Sequence, residues 1–489
     1  MASTSVEATV GASRRAWLHP IVLIVGTLLV FAAHFRPWEV GYLEEWPLAQ
    51  NWIAQGGWAV VPSYLEWTLS RPLHLVPSFI GLALGNGAPG AIFFVLGLVA
   101  AAQLPVVVWA LRPISRSFWL SFAVGLFLAL HPLWPGGFLQ RFLPAQTAAL
   151  GLAIALGFLI RWYLSGKVRW IVWTSVSLLL GFAVYPGPAT VAPLMALAIA
   201  LAVKTSWKRR IVAVVVVTAT SAFMTLYSLV ISRLIMPSGT SYELDNIATA
   251  GVTSIRELVT FVQSTLFSRG ELILLGIAVV AVLGAVLALT GAVPHPAGWL
   301  ITGVALVSPA VSVVFFGHAG WLSDIDRLGY VISLALFVAL CVWPLNSEGT
   351  RVKMEAVFAV ILIAVSFVGA ARGIQSWQSD IALQHKLLTA LGPVVAEAEG
   401  EGEVVVVIDR SGTLGYNGTF PLQYLGPASQ VWNDDQTTVW LCFEEPSPLP
   451  SGAVLCDPND TGTDLRLVDT LVLESGAVDF FIGERETDG

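Results

Sequence analysis

The chain has 489 residues, of which 56% are hydrophobic and only 12% charged, with a mean hydropathy of +0.76. Apolar runs extend from Pro20 to about Ile374, which excludes an ordinary soluble domain and predicts a polytopic membrane protein. The formal net charge of -7 divides unevenly: Met1 to Ile374 carries 21 Lys+Arg against 13 Asp+Glu (+8), and Gln375 to Gly489 carries 4 against 19 (-15). That break predicts a membrane domain over 1–374 and a separate α/β domain over 375–489, and the acidic tail speaks against binding nucleic acid or anionic lipid.

Taken in chain order, runs of spanning character fall at Leu18–Phe35, Ala91–Leu111, Phe118–Trp134, Pro144–Leu164, Trp170–Tyr185, Pro188–Val203, Ile211–Met236, Leu272–Val293, Trp299–Gly317, Leu328–Leu345 and Met354–Ile374, about eleven helices. The first lacks a small-residue cleavage site and further spans follow, so it reads as a retained helix. With Arg14 and Arg15 inside, alternation puts Arg112/Arg116, Lys167/Arg169, Lys204/Lys208/Arg209/Arg210 and Arg351/Lys353 on the cytoplasmic face and the tail outside. This requires that Arg71–Gly87 does not cross.

The first outer loop, Arg36 to Gly90, is then long and structured. Pro47 suits the first turn of a helix carrying Leu48, Trp52 and Ile53 on one face, and Ser63-x-x-Glu66 reads as a capping box opening another. Trp38, Trp46, Trp52, Trp58 and Trp67 suit the headgroup belt. In the tail, Ser379–Glu399 reads as a helix and Glu403–Asp409 as a buried strand, with further strands at Thr437–Phe443, Asp469–Val472 and Val478–Ile482. Cys442 and Cys456 lie in this polar tail at disulfide-like separation, which predicts a bond closing a loop of about 15 residues in an oxidising compartment, whereas Cys341 lies in an apolar run.

Two features point to chemistry. The acidic pair Glu44-Glu45 lies in the first outer loop between Tyr42 and Trp46, where a carboxylate held at the membrane surface can act as a general base. The outer-face cations are arginines, among them Arg36, Arg71, Arg141, Arg233, Arg256, Arg269 and Arg327, and guanidinium gives a fixed fork for phosphate. Trp134-Pro-Gly-Gly-Phe-Leu-Gln-Arg141 reads as an outer turn whose aromatic and arginine contact sugar and phosphate, with plain turn chemistry as the other reading. His318, Asp324, Asp326 and Arg327 form a dense polar cluster between two spans, readable also as a solvated cap. His131 reads as a helix-end hydrogen-bond partner. Asp324 and Asp326 offer oxygen ligands to a divalent cation, but two carboxylates do not specify one, and no Cys/His metal spacing, Walker loop or dinucleotide fingerprint is present.

A first helix leading to an acidic pair, interfacial helices, many further spans and an outer C-terminal domain together resemble the GT-C superfamily of integral-membrane glycosyltransferases. Within it, Glu44-Glu45-Trp46, the tryptophan-rich helix that follows and Ser70-Arg71-Pro72-Leu73 are similar to the bacterial group that includes O-antigen glucosyltransferases and actinobacterial cell-wall arabinosyltransferases. The family's acidic position is more often aspartate, so the base stays open between Glu44 and Glu45. The resemblance implies a plasma-membrane enzyme that needs no cofactor. It would move a sugar from a polyprenyl-phosphate donor to a hydroxyl of a cell-envelope glycan or lipid acceptor on the outer face, with inversion. Arg327, Arg71 and Arg141 would hold the donor phosphate, and Tyr42, Trp46, Trp134, His318, Asp324 and Asp326 would contact substrate. The rival readings are a transporter or flippase of a lipid-linked anion, and an O-antigen ligase or polymerase.

Overall fold

The long apolar runs fold as helices in the computed structural model, which describes residues 4–38, 45–115, 117–235, 271–289, 325–342, 351–398, 403–411, 424–434, 437–443, 465–474 and 476–484, with a few positions between 296 and 306. In chain order these give α1 (Thr4–His34), α2 (Glu45–Ala54), α3 (Val61–Thr68), α4 (Val76–Leu84), α5 (Ile92–Leu111), α6 (Phe118–Leu130), α7 (Leu143–Ser165), α8 (Val168–Val184), α9 (Ala192–Ala202), α10 (Trp207–Ile235), α11 (Glu271–Leu289), α12 (Ile325–Val342) and α13 (Arg351–Glu397). Four stretches are long and apolar enough to cross a membrane: Pro89–Leu111, Gln140–Ser165, Trp207–Ser228 and Glu355–Glu397. Five shorter apolar helices accompany them among the described residues.

Exposed faces carry the membrane signature. Ile24 and Leu28 of α1, Val215 and Leu234 of α10, and Val360 and Ile361 of α13 all exceed half exposure, far more apolar surface than a water-soluble protein presents. Inside, α7 packs on α5 and α8 through small residues. A Cβ added at Gly151 would come 3.1 Å from Gly181 Cα, so the α7 and α8 backbones meet there. At one end of this bundle Arg209 Nη1 donates to the carbonyls of Tyr163 and Leu164 at 3.2 Å, closing the C-terminus of α7 beside Lys167 and Lys204.

Three expectations are corrected. Ser63 does not cap α3: the helix starts at Val61 with Pro62 in its first turn and no side-chain cap, and Ser63 Oγ donates back to Val60 O at 2.7 Å. Pro62 has no N–H to be capped, which favours the earlier start. In α2, Leu48 and Trp52 are buried with Ala49, but Ile53 is 57% exposed and points away from them. The tail helix is not separate either. The span and Ser379–Glu399 are one rod, α13, of 47 residues, so the boundary at 374 falls inside a helix about 70 Å long. The segment 71–87 contributes only the nine-residue α4, too short to cross.

The end of α13 becomes part of the C-terminal domain. Strands β1 (Glu403–Asp409), β2 (Thr438–Phe443), β3 (Arg466–Leu473) and β4 (Gly476–Glu484) form one sheet in the order β2-β1-β4-β3, with α14 (Leu425–Asn433) connecting the parallel pair β1 and β2. β4 runs antiparallel to both β1 and β3. Val405 and Val407 of β1 pack with Leu387 and Leu391 of α13, Leu425 of α14 and Phe480 of β4, while Val404, Val406 and Ile408 are buried on the other face. An unbroken valine run is what a strand buried on both faces requires. Cys442 is disulfide-bonded and Cys341 is free and buried; Cys456, the expected partner of Cys442, lies outside the described residues.

Candidate functional site

The end of the bundle that bears the C-terminal sheet gathers the residues singled out above. Ser70-Arg71-Pro72-Leu73 is strapped down by its backbone: Ser228 Oγ donates to Ser70 O at 2.8 Å, Leu73 N to Ala183 O at 3.0 Å, and His74 Nδ1 to Val184 O at 2.9 Å. This seats the Arg71 guanidinium 5.7 Å from the centre of the Tyr185 ring. From there a row of rings continues through Tyr330 (5.6 Å from Tyr185), Trp134 (4.7 Å from Tyr330) and Phe142 (5.2 Å from Trp134). The row ends where the Arg141 guanidinium lies 5.2 Å over Phe142. Two of the three arginines expected to hold phosphate are therefore the two ends of one aromatic row. The third, Arg327, stands one helical turn before Tyr330 on α12, a spacing that places both on one helix face. Its side chain, that of Asp326, and residues His318 and Asp324 lie outside the described residues.

The Trp134–Arg141 segment is a turn, as its Pro-Gly-Gly predicts, and it is a buried one. Trp134 and Phe138 are fully buried, and Gln140 nearly so. His131 ends α6 with a φ of 41° and meets Gln146 Oε1 through Nε2 at 3.0 Å, acting as the helix-end partner. Gln146 also accepts from Gln103 Nε2 at 2.7 Å and donates to Gly137 O at 3.0 Å. Arg36 Nη2 donates to Phe138 O at 2.5 Å and Gln140 Nε2 to Pro89 O at 3.0 Å. Buried donors thus satisfy carbonyls of this turn and of Pro89 that burial would otherwise leave unpaired.

Glu45 is the first residue of α2 and only 5% exposed, so it is no solvated loop charge. A carboxylate at a helix N-terminus sits against the positive end of the helix dipole. Its neighbour Trp46 is fully buried in the core of the C-terminal domain with Leu387 and Phe480, and it also lines a cavity with Ile53, Asn86 and Trp432. The same helix sends Leu48, Ala49 and Trp52 into a second cluster with Phe79, Ile92 and Leu143. Gln50 hydrogen-bonds Gln430 of α14, and Asn51 Nδ2 donates to the Tyr64 hydroxyl of α3 at 2.9 Å. Burial raises the Tyr64 pKa, which keeps that phenol protonated. Tyr42 and Glu44 lie outside the described residues.

Sequence reasoning ranked Arg36 too low and missed Tyr185, Tyr330 and Gln146. Arg36 is 4% exposed, with its guanidinium 5.6 Å from Phe93 and 5.9 Å from Phe138. Gln103 and Gln146 carried a usable signal, since a polar side chain inside an apolar run asks for a partner. Among the described residues no group of three His, Cys, Asp or Glu is arranged to hold a metal. No protein-family model matches the chain, and comparison with curated proteins gives no match.

Proposed function

We propose that the protein is a GT-C-like glycosyltransferase, an enzyme of about eleven spans that transfers a sugar from a polyprenyl-phosphate donor to a hydroxyl of a cell-envelope acceptor. The observation that carries this reading is the aromatic row with Arg71 at one end and Arg141 at the other, on the same end of the bundle as the buried carboxylate Glu45. Guanidinium groups on low-dielectric aromatic walls suit a phosphodiester monoanion, and the second charge that develops as the polyprenyl phosphate leaves is what they stabilise.

The chemistry balances simply. The acceptor oxygen attacks the anomeric carbon from the face opposite the phosphate. A new C–O bond forms as the bond to phosphate breaks, phosphate departs with the electron pair, and the hydroxyl proton passes to Glu45 or Glu44. Configuration inverts. The alternation of helices, with Lys167, Lys204 and Arg209 at the end away from the C-terminal sheet, supports a cytoplasmic N-terminus and an outer C-terminal domain by the positive-inside rule. A disulfide at Cys442 suits that compartment.

The test is transfer in membranes from a defined polyprenyl-phosphate sugar by Glu44→Gln and Glu45→Gln. The true base loses about two to four orders of magnitude in turnover, because glutamine keeps the shape and cannot take the proton. Arg71→Lys and Arg141→Lys raise the donor KM by replacing a fork with a point charge. Full transfer activity in both glutamine variants would sink the mechanism and favour a transporter of a lipid-linked anion.

A further inference from the structure

Three cavities adjoin along the first loop, the middle one reaching the C-terminal domain, and their walls change character in one direction. The first, of 470 Å³, is walled by Phe35, Pro37, Leu84, Ala91 and Phe94 and by Ala88. Leu84 is 64% and Phe94 38% exposed, so this cavity opens toward the apolar flank of α1, α4 and α5. Ala88 also walls the second, of 310 Å³, which lies between Trp46, Ile53, Asn86 and Pro89 of the first loop and Val431 and Trp432 of α14. Ile53 and Asn86 in turn wall the third, of 490 Å³, with Trp52, Gly56, Gly57 and Trp58.

Backbone conformation builds the last two. Asn86 has φ 51°, Gly87 93°, Gly56 77° and Gly57 72°, so both loops turn through the left-handed region. A Cβ at Gly87 would fall 2.9 Å from Ile53 Cγ1, so glycine there lets the two walls close. Trp58 is 56% exposed and edge-on to Trp52 at 5.2 Å, presenting an open indole to the third cavity. The run thus passes from phenylalanine and aliphatic walls to indoles, an amide and bare backbone. Among the described residues no charged side chain lines any of the three.

We infer that this run of cavities binds a neutral glycolipid, with its hydrocarbon chain against Phe35, Leu84 and Phe94 and its saccharide against Trp58, Asn86 and Trp432. Indole faces cover the C–H faces of a sugar, and the Asn86 amide supplies both a donor and an acceptor for ring hydroxyls. That the described wall residues include no lysine or arginine favours an uncharged head over a phospholipid head. This rests on the glycosyltransferase reading only in making the bound glycolipid the acceptor, which is thereby a lipid-borne glycan rather than a free polysaccharide.

The experiment is photolabelling of the full-length protein in phosphatidylglycerol nanodiscs with an alkyl β-maltoside carrying a diazirine in its chain. The label is expected on the segments around Phe35 and Phe94, displaced by dodecyl maltoside and not by an equal concentration of maltose or by added phosphatidylglycerol. Trp58→Ala and Asn86→Gly, the latter keeping the left-handed φ, are each expected to lower labelling at least several-fold. Displacement by maltose would mean a soluble glycan, and displacement by phosphatidylglycerol an ordinary lipid; either overturns the inference, as does labelling elsewhere or labelling indifferent to both variants. Labelling is read without donor and needs no turnover, so it is independent of the transfer assay. Failure of this site and failure of the catalytic reading are then separate results.

Discussion

The two cores of this molecule are built from different materials. Between α7 and α8 the contact is made by Gly151, Gly181 and Ala148, and the polar link of Gln146 to Gln103, His131 and Gly137 O lies nearby. In the C-terminal domain it is made by Leu387, Leu391, Val395, Val407, Val439 and Phe480, with large side chains from two helices on one sheet face. The contrast follows from solvent. Lipid gives little reward for hiding one hydrocarbon against another, so helices there gain from close approach and from hydrogen bonds. Water rewards apolar area directly, at about 25 cal/mol per Å².

The largest expected effect is therefore in the C-terminal domain. Phe480→Ala should cost about 3–5 kcal/mol, read as accelerated hydrogen exchange of β1 and β4 amides in the full-length protein, with the bundle amides unchanged. Equal acceleration in both regions would erase the distinction between the two cores. Gln146→Leu comes next, because it strips His131 Nε2 and Gly137 O of their partner at about 1–3 kcal/mol for each orphaned group, seen as a lower unfolding temperature in detergent. A cost near 0.6 kcal/mol, the average for hydrogen bonds between membrane helices, would instead mean that the orphans find new partners. Gly151→Ala should cost about 1–3 kcal/mol by pushing α8 away, since its methyl would meet backbone rather than a flexible side chain. An unchanged unfolding temperature would show that this helix pair is loosely packed. Smallest is Gln430→Ala, about 0.5–1.5 kcal/mol, which removes the hydrogen bond to Gln50 and should show as faster exchange in α2 alone.

The parts of this architecture written locally in the chain were legible. Unbroken apolar length announces helices in lipid, and Val404–Ile408 announces a strand buried on both faces, as β1 is. Element ends were less so. The change from apolar to polar at Gln375, with Gly373 just before it, looked like a stop, yet α13 continues through both, because one glycine weakens a helix by only about 1 kcal/mol and a helix needs no change of backbone to leave a membrane. The arginines were recognisable by type. The row joining Arg71 to Arg141 was not, since Tyr185, Tyr330 and the Trp134–Phe142 turn come from three separate parts of the chain and no periodicity relates them. The burial of Trp46 was hidden for the same reason: its neighbours belong to the far end of the chain.

That last contact also imposes an order in time. Gln50 and Gln430 are 380 residues apart, and at about 5–20 residues per second a ribosome needs roughly 20–80 s to cover that distance. Through that interval α2 is synthesised and Glu45 is in place, but the indole of Trp46 has no core to enter. A chain that stops short never closes over its own acidic helix, so the seating of Trp46 serves as a molecular record that synthesis has reached the end.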